Sequence, residues 1–328
     1  KIAILKLVFL LIVLIGTIAA YFVFTYEKTE DPAESISTAT LPVITMKYRE
    51  QNINVLNGYT NEMQGKYMRQ ALTPYGKDGT VTMDIERYAN VIAAISYQVR
   101  SVDTERLIDS EEIKEWTTDG EDIYVTLNMS NIMKEDTEYL LIINLVTETH
   151  GNVYYYVHLK NPSGQDIEKQ LEFVYDFSRL TISKEVTEKY GAYLEYDPST
   201  DSSNLANVNI KSSYDNIQWG DLKVTRATDP VVTIKEILGN IGCYELQYKV
   251  KAQDEYGTEE YYNVTEYFRL RTVSSGMYLD VYERKANQIF NPNTQSVSST
   301  RINLGLDDDL KIHYKTSPTG SYVSFVKE

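Results

Sequence analysis

Over most of the chain, apolar and polar residues alternate with a period of two. This alternation is typical of antiparallel strands that bury one face. It is clear in four runs, at 81–85, 95–99, 123–127 and 153–157. Residues 140–146 are almost all apolar, which predicts a central strand covered on both faces. Several short strands separated by turn signals predict an immunoglobulin-like β-sandwich over residues 41–161.

Residues 162–196 lose the period of two and predict a helical connector. Ser163 and Asp166 have the spacing of a capping box, in which the first side chain accepts a bond from a free N–H three residues on. Ile167, Leu171 and Val174 then share one helical face. The alternative is a strand, because residues 171–177 also alternate. The specific cap and the lack of a turn residue favour the helix.

Alternation returns after residue 204 and predicts a second β domain over 197–286. Residues 287–328 contain a polar stretch followed by three short strand-like runs, too few to bury a core alone. They predict a partial β segment that extends the second domain or begins a further one.

The N-terminal segment has a different pattern. From Leu7 to Tyr26, twenty residues carry no charge, enough to span the ~30 Å hydrocarbon layer as a helix. Lys1 and Lys6 precede this run, and acidic residues follow it, which predicts a cytoplasmic N-terminus with the bulk of the chain outside the cell membrane. The alternative is a cleaved signal peptide with small residues near Ala20. The length of the apolar run favours an uncleaved anchor.

These patterns together predict a mainly β protein. It has a transmembrane anchor at 1–26, a flexible tether at 27–40 and two sandwich-like domains joined by the helical connector. Its predicted localisation is the cell membrane, with a single pass and an extracytoplasmic bulk.

Composition excludes some classes of function. The formal net charge is −15, from 47 acidic and 32 basic residues, which argues against nucleic-acid binding. Cys243 is the single cysteine, so the chain has no internal disulfide. The 28 tyrosines greatly outnumber the 8 phenylalanines, and the simplest interpretation is twisted sheets with tyrosine on their outer faces.

The sequence contains no catalytic, metal or cofactor motif of the common kinds. The histidines do not have metal-ligand spacing, and we expect His158 to be solvated on a polar strand face. Neither the acidic run 307–309 nor the run 197–201 has the spacing of a calcium loop. We therefore expect no enzyme activity, no cofactor and no metal site.

The candidate binding residues are aromatic and lie on alternate strand positions. Tyr154, Tyr156 and His158 share one strand face, and Tyr261 and Tyr267 share another. Exposed tyrosine rows can stack on sugar rings or pack on a partner protein. The alternative is a tyrosine-rich face that is solvated or packed on a neighbouring domain.

Three blocks, at 54–59, 95–101 and 282–284, resemble recurring blocks in a group of N-terminally anchored envelope proteins of Gram-positive gut anaerobes. The resemblance covers most of the chain. It implies that the protein continues past Glu328 into a β-propeller-like region, and it identifies no functional residues.

The sequence thus predicts a membrane-anchored, extracytoplasmic binding or scaffold module of a bacterial envelope. Its partners are the lipid bilayer, through the segment from Leu7 to Tyr26, and an envelope protein or glycan. The alternatives are the N-terminal accessory part of a cell-wall or glycan-active enzyme and the sensor half of an envelope signalling system.

Overall fold

The computed structural model describes residues 6, 41–76, 78–129, 134–163, 166–186, 188–200, 204–253, 257, 259–289, 314–317 and 323–325. Contacts divide the chain into two units, 1–40 and 41–328. The predicted anchor from Leu7 to Tyr26 and the tether 27–40 lie outside the described residues, as do 307–309 and His313. Within the described part of the chain, no helix has the length and apolar character needed to cross a membrane.

The described residues are mainly β, as the alternation predicts. The strands are β1 (Val43–Tyr48), β2 (Gln51–Leu56), β3 (Leu72–Pro74), β4 (Thr80–Glu86), β5 (Ile92–Ser101), β6 (Leu107–Ile113), β7 (Thr117–Asp119), β8 (Asp122–Asn128), β9 (Glu138–Thr147), β10 (Gly151–Lys160), β11 (Asn207–Asn209), β12 (Thr225–Arg226), β13 (Val231–Leu238), β14 (Ile241–Gln253), β15 (Glu259–Val273), β16 (Gly276–Gln288), β17 (Tyr314–Thr316) and β18 (Val323–Phe325). The helices are α1 (Ile167–Ser183), α2 (Glu188–Gly191) and α3 (Tyr214–Ile217), with a 3-10 turn at Gly65–Tyr67.

The strands form two large sheets. The first has eleven strands in the order β11-β16-β15-β14-β13-β2-β1-β4-β8-β7, with β12 pairing β14. The second has five strands in the order β3-β10-β9-β5-β6, so β9 is the central strand that its apolar sequence predicts. β17 and β18 pair with each other.

One hydrophobic cluster contains side chains from both large sheets and from α1. The apolar positions of the alternating runs lie in this core, as predicted, among them Met83, Ile95, Val125 and Val157. β2 and β13 are neighbours in the eleven-stranded sheet, paired in parallel at Ile53 and Val232. Strands from both predicted β regions therefore contribute to one sheet and one core.

The helix prediction for the connector is confirmed, but the predicted cap is wrong. The N-cap of α1 is Asp166, whose side chain accepts a bond from the Lys169 N–H. The Ser163 side chain is engaged elsewhere, because its hydroxyl donates to the Asp136 carboxylate. A carboxylate directly before the first helical residue caps the free N–H groups as well as serine does and also favours the positive end of the helix dipole.

The interpretation of tyrosine as an outer-face residue is only partly right. Tyr155, Tyr244 and Tyr282 are fully buried. The Tyr155 hydroxyl donates to the Pro42 carbonyl at 2.6 Å, and the Tyr244 hydroxyl donates to the Gln170 side chain at 2.5 Å. A buried tyrosine is stable when its hydroxyl finds a partner, and here the helix and the N-terminal strand region supply those partners.

Candidate functional site

The first predicted tyrosine face lies on β10, on the side of the five-stranded sheet that points away from the main core. Tyr154 is partly exposed. His158 is 2% exposed, so the expectation that it is solvated is wrong, and Tyr156, at 4% exposed, is packed against other parts of the chain. The face is thus open at Tyr154 and closed towards His158.

The segment 57–71 covers the closed part of this face. Its Tyr59 exchanges two backbone hydrogen bonds with Tyr154, both at 2.9 Å. The Tyr156 hydroxyl accepts a bond from the Met63 N–H at 2.7 Å, and Met68 packs with Tyr156 in a small apolar cluster. Because segment 57–71 forms almost no regular structure, the sequence pattern did not reveal that it covers a strand face.

Gly58 allows this close approach. A Cβ at Gly58 would lie 2.5 Å from Val153 Cγ1 and 2.9 Å from the Tyr155 ring. Any larger residue would push the segment away from β10.

His158 belongs to a charged cluster under this cover. Its Nδ1 lies 2.6 Å from Glu138 Oε1, and Arg69 Nε lies 3.1 Å from the same oxygen. The hydrogen bond from His158 lowers the pKa of Glu138 to about 2, with help from Arg69 and against the effect of burial. The carboxylate partner compensates for placing His158 in the interior.

Arg69 also reaches the eleven-stranded sheet. Its Nη2 lies 3.9 Å from Glu236 on β13, and both side chains are more than 40% exposed, so this contact is screened by solvent. Glu236 pairs across the strands with Cys243. Tyr267 is partly buried here, and burial followed by its hydrogen bond with Cys243 raises its pKa to about 12. His158 and Tyr267, predicted on separate faces, therefore lie at the two ends of one chain of contacts, which consists of ion pairs, the Glu236–Cys243 strand pairing and the Tyr267–Cys243 hydrogen bond.

Tyr261 is distant from that chain of contacts. It lies on the same strand as Tyr267, six residues away, which corresponds to ~20 Å along β15. It is 39% exposed, and its hydroxyl donates to Glu259 at 3.3 Å. The structure does not bring Tyr261 together with the β10 tyrosines in any described contact.

The open part of the β10 face continues across the sheet as a polar row. Tyr154 pairs with Asn144 on β9, Asn144 pairs with Ser96 on β5, and Ser96 pairs with Glu112 on β6. Directly paired residues point to the same face of a sheet. Tyr154, Asn144 and Ser96 are half-buried, and Glu112 is exposed. We call these four residues the polar row.

The polar row offers one aromatic ring, an amide, a hydroxyl and a carboxylate in one line. Three strand spacings give it a width of ~14 Å. Asn144 Nδ2 donates to Oδ1 of the exposed Asn152 at 3.2 Å, which orients both amides. The tyrosine ring can stack on the apolar face of another ring, and the amide, hydroxyl and carboxylate can form hydrogen bonds with hydroxyl groups of a ligand.

Sequence reasoning found Tyr154 but missed Asn144, Ser96 and Glu112. These three residues occupy polar positions of their strands, which is the only signal that the sequence carries. Their alignment depends on cross-strand register, and register cannot be read from one strand at a time.

Within the described residues, no group of His, Cys, Asp or Glu side chains is placed to hold a metal ion. Comparison with protein-family models gives no match for this chain, and no curated protein matches it at a significant level. Any functional assignment therefore depends on the geometry of the chain itself.

Proposed function

We propose that this chain is a non-catalytic binding module of a bacterial cell envelope that recognises a glycan through the polar row. The observation that carries the proposal is the alignment of Tyr154, Asn144, Ser96 and Glu112 across four strands of an open sheet face. Amide and hydroxyl groups both donate and accept hydrogen bonds, as sugar hydroxyls do, and the tyrosine ring supplies a stacking surface.

The anchor and the sandwich are part of the same proposal. The apolar segment from Leu7 to Tyr26 would hold the module at the membrane, with the polar row outside the cell. Residues 41–161 would form an immunoglobulin-like sandwich. In support, β1, β2, β4 and β8 lie in one sheet, β5, β9 and β10 lie in the other, and one core contains side chains from both.

The polar row lacks the large apolar or arginine anchors of a protein-binding surface, which favours a glycan as the ligand. Protein-binding surfaces are usually centred on large apolar or arginine anchors that become fully desolvated. The polar row has one partly exposed ring, and its other members are small or polar.

The test is binding of the purified chain to isolated Gram-positive cell walls and to soluble glycan fragments released from them. Tyr154→Ala should weaken binding by about fivefold or more, because it removes the stacking ring. Ser96→Lys should weaken it further by placing a long side chain in the middle of the row. Tyr278→Ala, at a 45% exposed tyrosine on β16, is the matched control and should have no effect.

Equal binding by wild type, Tyr154→Ala and Ser96→Lys would exclude the polar row. Loss of binding in Tyr261→Ala instead would move the site to the β15 tyrosine. Binding of a peptide but of no glycan would show that the ligand is a peptide. Hydrolysis of the cell-wall glycan by the wild-type chain would refute the non-catalytic assignment.

A further inference from the structure

The strand β6 lies at one end of the five-stranded sheet and forms a long sheet edge. It has seven residues, whereas the strands at the other three ends of the two large sheets, β3, β7 and β11, have three residues each. Short end strands limit pairing with other chains, because they expose few free N–H and C=O groups. Of these four strands, β6 is therefore the best able to pair with a further strand.

The outer side of β6 is open among the described residues. Every ladder partner of β6 lies on β5, from Ile113 opposite Ile95 to Leu107 opposite Arg100. No other backbone hydrogen bond in the described part of the chain reaches residues 107–113. In an edge strand, the N–H and C=O groups of alternate residues point away from the sheet. An extended segment placed beside β6 can bind these groups.

The side chains of this edge are acidic on both sides of the sheet. Asp109 and Glu111 pair with buried residues of β5, so both lie on the side that faces the core. Glu112 lies on the opposite side, and β6 contains no lysine or arginine. None of the ion pairs among the described residues involves any of these three carboxylates.

A buried tyrosine holds two of these carboxylates close together. The Tyr97 hydroxyl donates to Asp109 Oδ2 at 2.9 Å, and Glu111 Oε2 lies 3.5 Å from the same hydroxyl oxygen. Tyr97 is 5% exposed, whereas Glu111 is exposed and Asp109 is half-buried. Like charges at this separation repel each other, and a cation placed beside them at the strand edge relieves that repulsion.

These charges determine which kind of strand can be added. A second copy of β6 would bring like charges opposite the carboxylates, which is destabilising. Inward-facing charges on an edge strand also disfavour an apolar strand, which would cover them without supplying a partner. A strand with lysine or arginine at alternate positions instead places a cation beside both Asp109 and Glu111, since alternate side chains point to the same side of a sheet.

We propose that β6 is the docking site for an extended, basic segment of a partner protein, which joins the five-stranded sheet as a further strand. Its backbone forms hydrogen bonds with the outward N–H and C=O groups of residues 107–113. Its lysine or arginine side chains, two residues apart, pair with Asp109 and Glu111 and provide the specificity. Neither carboxylate belongs to the polar row, so this proposal does not depend on glycan recognition.

The test uses the full chain in mild detergent and follows the binding of three short peptides by calorimetry at physiological salt. The first peptide alternates lysine and threonine. The second keeps the lysines but has proline in place of the central threonines, and the third has glutamate in place of lysine. Wild type should bind the first peptide saturably and should not bind the third. It should bind the second at least about tenfold more weakly, because proline has no N–H to donate and disrupts strand pairing.

A double variant locates the binding. Asp109→Asn with Glu111→Gln should weaken binding of the lysine–threonine peptide by about tenfold or more, because it removes two charge-assisted contacts. The amide oxygens can still accept the Tyr97 hydrogen bond, and an unchanged thermal midpoint confirms that the fold is intact. Asp119→Asn with Glu195→Gln removes the same charge from two exposed carboxylates outside β6. This matched control should change the affinity by less than about twofold.

Hydrogen exchange followed by NMR shows whether a strand is added. The outward N–H groups of residues 107–113 should gain protection when the lysine–threonine peptide binds, and those of β7 should not. Equal affinity for the proline peptide, or for wild type and the Asp109/Glu111 double variant, would show only general attraction to an acidic chain and would overturn the proposal. Protection of 107–113 that rises with protein concentration in the absence of peptide would assign the edge to a second copy and overturn it too, as would no saturable binding at millimolar peptide.

Discussion

The side chain of Asn54 replaces a peptide group between two strands: its Oδ1 accepts a hydrogen bond from the backbone N–H of Ile234 at 2.8 Å. Asn54 is fully buried, with φ at +50°, a left-handed conformation that asparagine tolerates better than most residues. Its Nδ2 donates to the Leu72 carbonyl and to Thr73 Oγ1, both at 2.9 Å. One amide thus connects β2, β13 and β3, and so joins the two large sheets.

Asn54→Ala should lower the free energy of unfolding by about 3 kcal/mol, because it leaves buried backbone groups of Ile234 and Leu72 without partners. Urea unfolding of residues 41–328 measures this loss. Asn54→Gly is the control for backbone conformation: it loses the same hydrogen bonds but accepts the positive φ, so it should cost less than alanine. A loss below about 0.5 kcal/mol in Asn54→Ala would show that the amide does not join the sheets.

A second buried polar group, Arg284, lies on β16, next to the edge strand β11 of the eleven-stranded sheet. The Arg284 guanidinium lies 3.6 Å from the centre of the Trp219 ring and donates to backbone carbonyls at the end of α3. Its cross-strand partner is Glu266, which accepts a bond from the Tyr282 hydroxyl at 2.8 Å. Arg284 and Glu266 are both fully buried.

Arg284→Met should therefore lower the free energy of unfolding by about 3 kcal/mol, since it removes the donor that Arg284 supplies to the buried carbonyls of Asn216 and Ile217. Arg284→Lys should not restore stability, because lysine lacks the planar fork that reaches several carbonyls and stacks on the ring. The Arg284→Met, Glu266→Gln double variant should cost less than the sum of the single variants. Additive losses in that double-mutant cycle would show that the two charges do not interact.

The charged cluster at Glu138 predicts a pH dependence. The pKa of Glu138 is lowered from its usual 4.5 to about 2, first by the hydrogen bond from His158. A group with a lowered pKa stabilises the fold above its unfolded pKa, and that contribution is lost as the pH falls through the folded value. The stability that Glu138 adds should therefore disappear between about pH 4.5 and pH 2.

Comparison of wild type with Glu138→Gln isolates this effect. The difference in unfolding free energy should be largest above pH 5, at most about 3 kcal/mol, and should approach zero near pH 2. Urea unfolding at a series of pH values measures it. A difference that stays constant over this pH range would mean that the Glu138 pKa is not lowered in the folded state.

Replacement of tyrosine by phenylalanine should destabilise the fold more at position 156 than at position 154. Tyr156→Phe removes the hydroxyl that bonds the Met63 backbone and should cost about 1 kcal/mol. Tyr154→Phe, at a half-buried position of the same strand, should change stability by less than about 0.5 kcal/mol. Thermal unfolding of both variants checks the order. Similar costs would contradict the covering of Tyr156 by segment 57–71.

Much of the fold could be predicted from the sequence, because it depends on local periodicity. The buried positions of β4, β5 and β8, the central position of β9 and the helix α1 all follow from apolar patterns within one element. The pairing of β2 with β13 could not be predicted, since those strands are about 180 residues apart and no local pattern specifies a distant neighbour.

Of the four residues in the polar row, only Tyr154 could be predicted from the sequence. Tyr154 is recognisable as a candidate by its residue type. Ser96 and Asn144 are ordinary polar residues in the sequence, and only the register of the strands shows that they lie beside Tyr154. The burial of His158 and Arg284 could not be predicted for a related reason. His158 and Arg284 occupy strand positions at which polar residues usually face solvent, and their partners come from distant segments.

The most direct test of glycan recognition follows the side-chain amides of the purified chain by NMR during titration with soluble cell-wall glycan fragments. The account predicts saturable shifts in the side-chain amide signals of Asn144, Asn152 and Gln98, which lie in or beside the polar row. In the same titration, the signal of Gln247, on the exposed side of β14, should not shift. Ser96→Lys should abolish these shifts. Saturable shifts confined to residues outside the five-stranded sheet, or no shifts with any fragment, would contradict it.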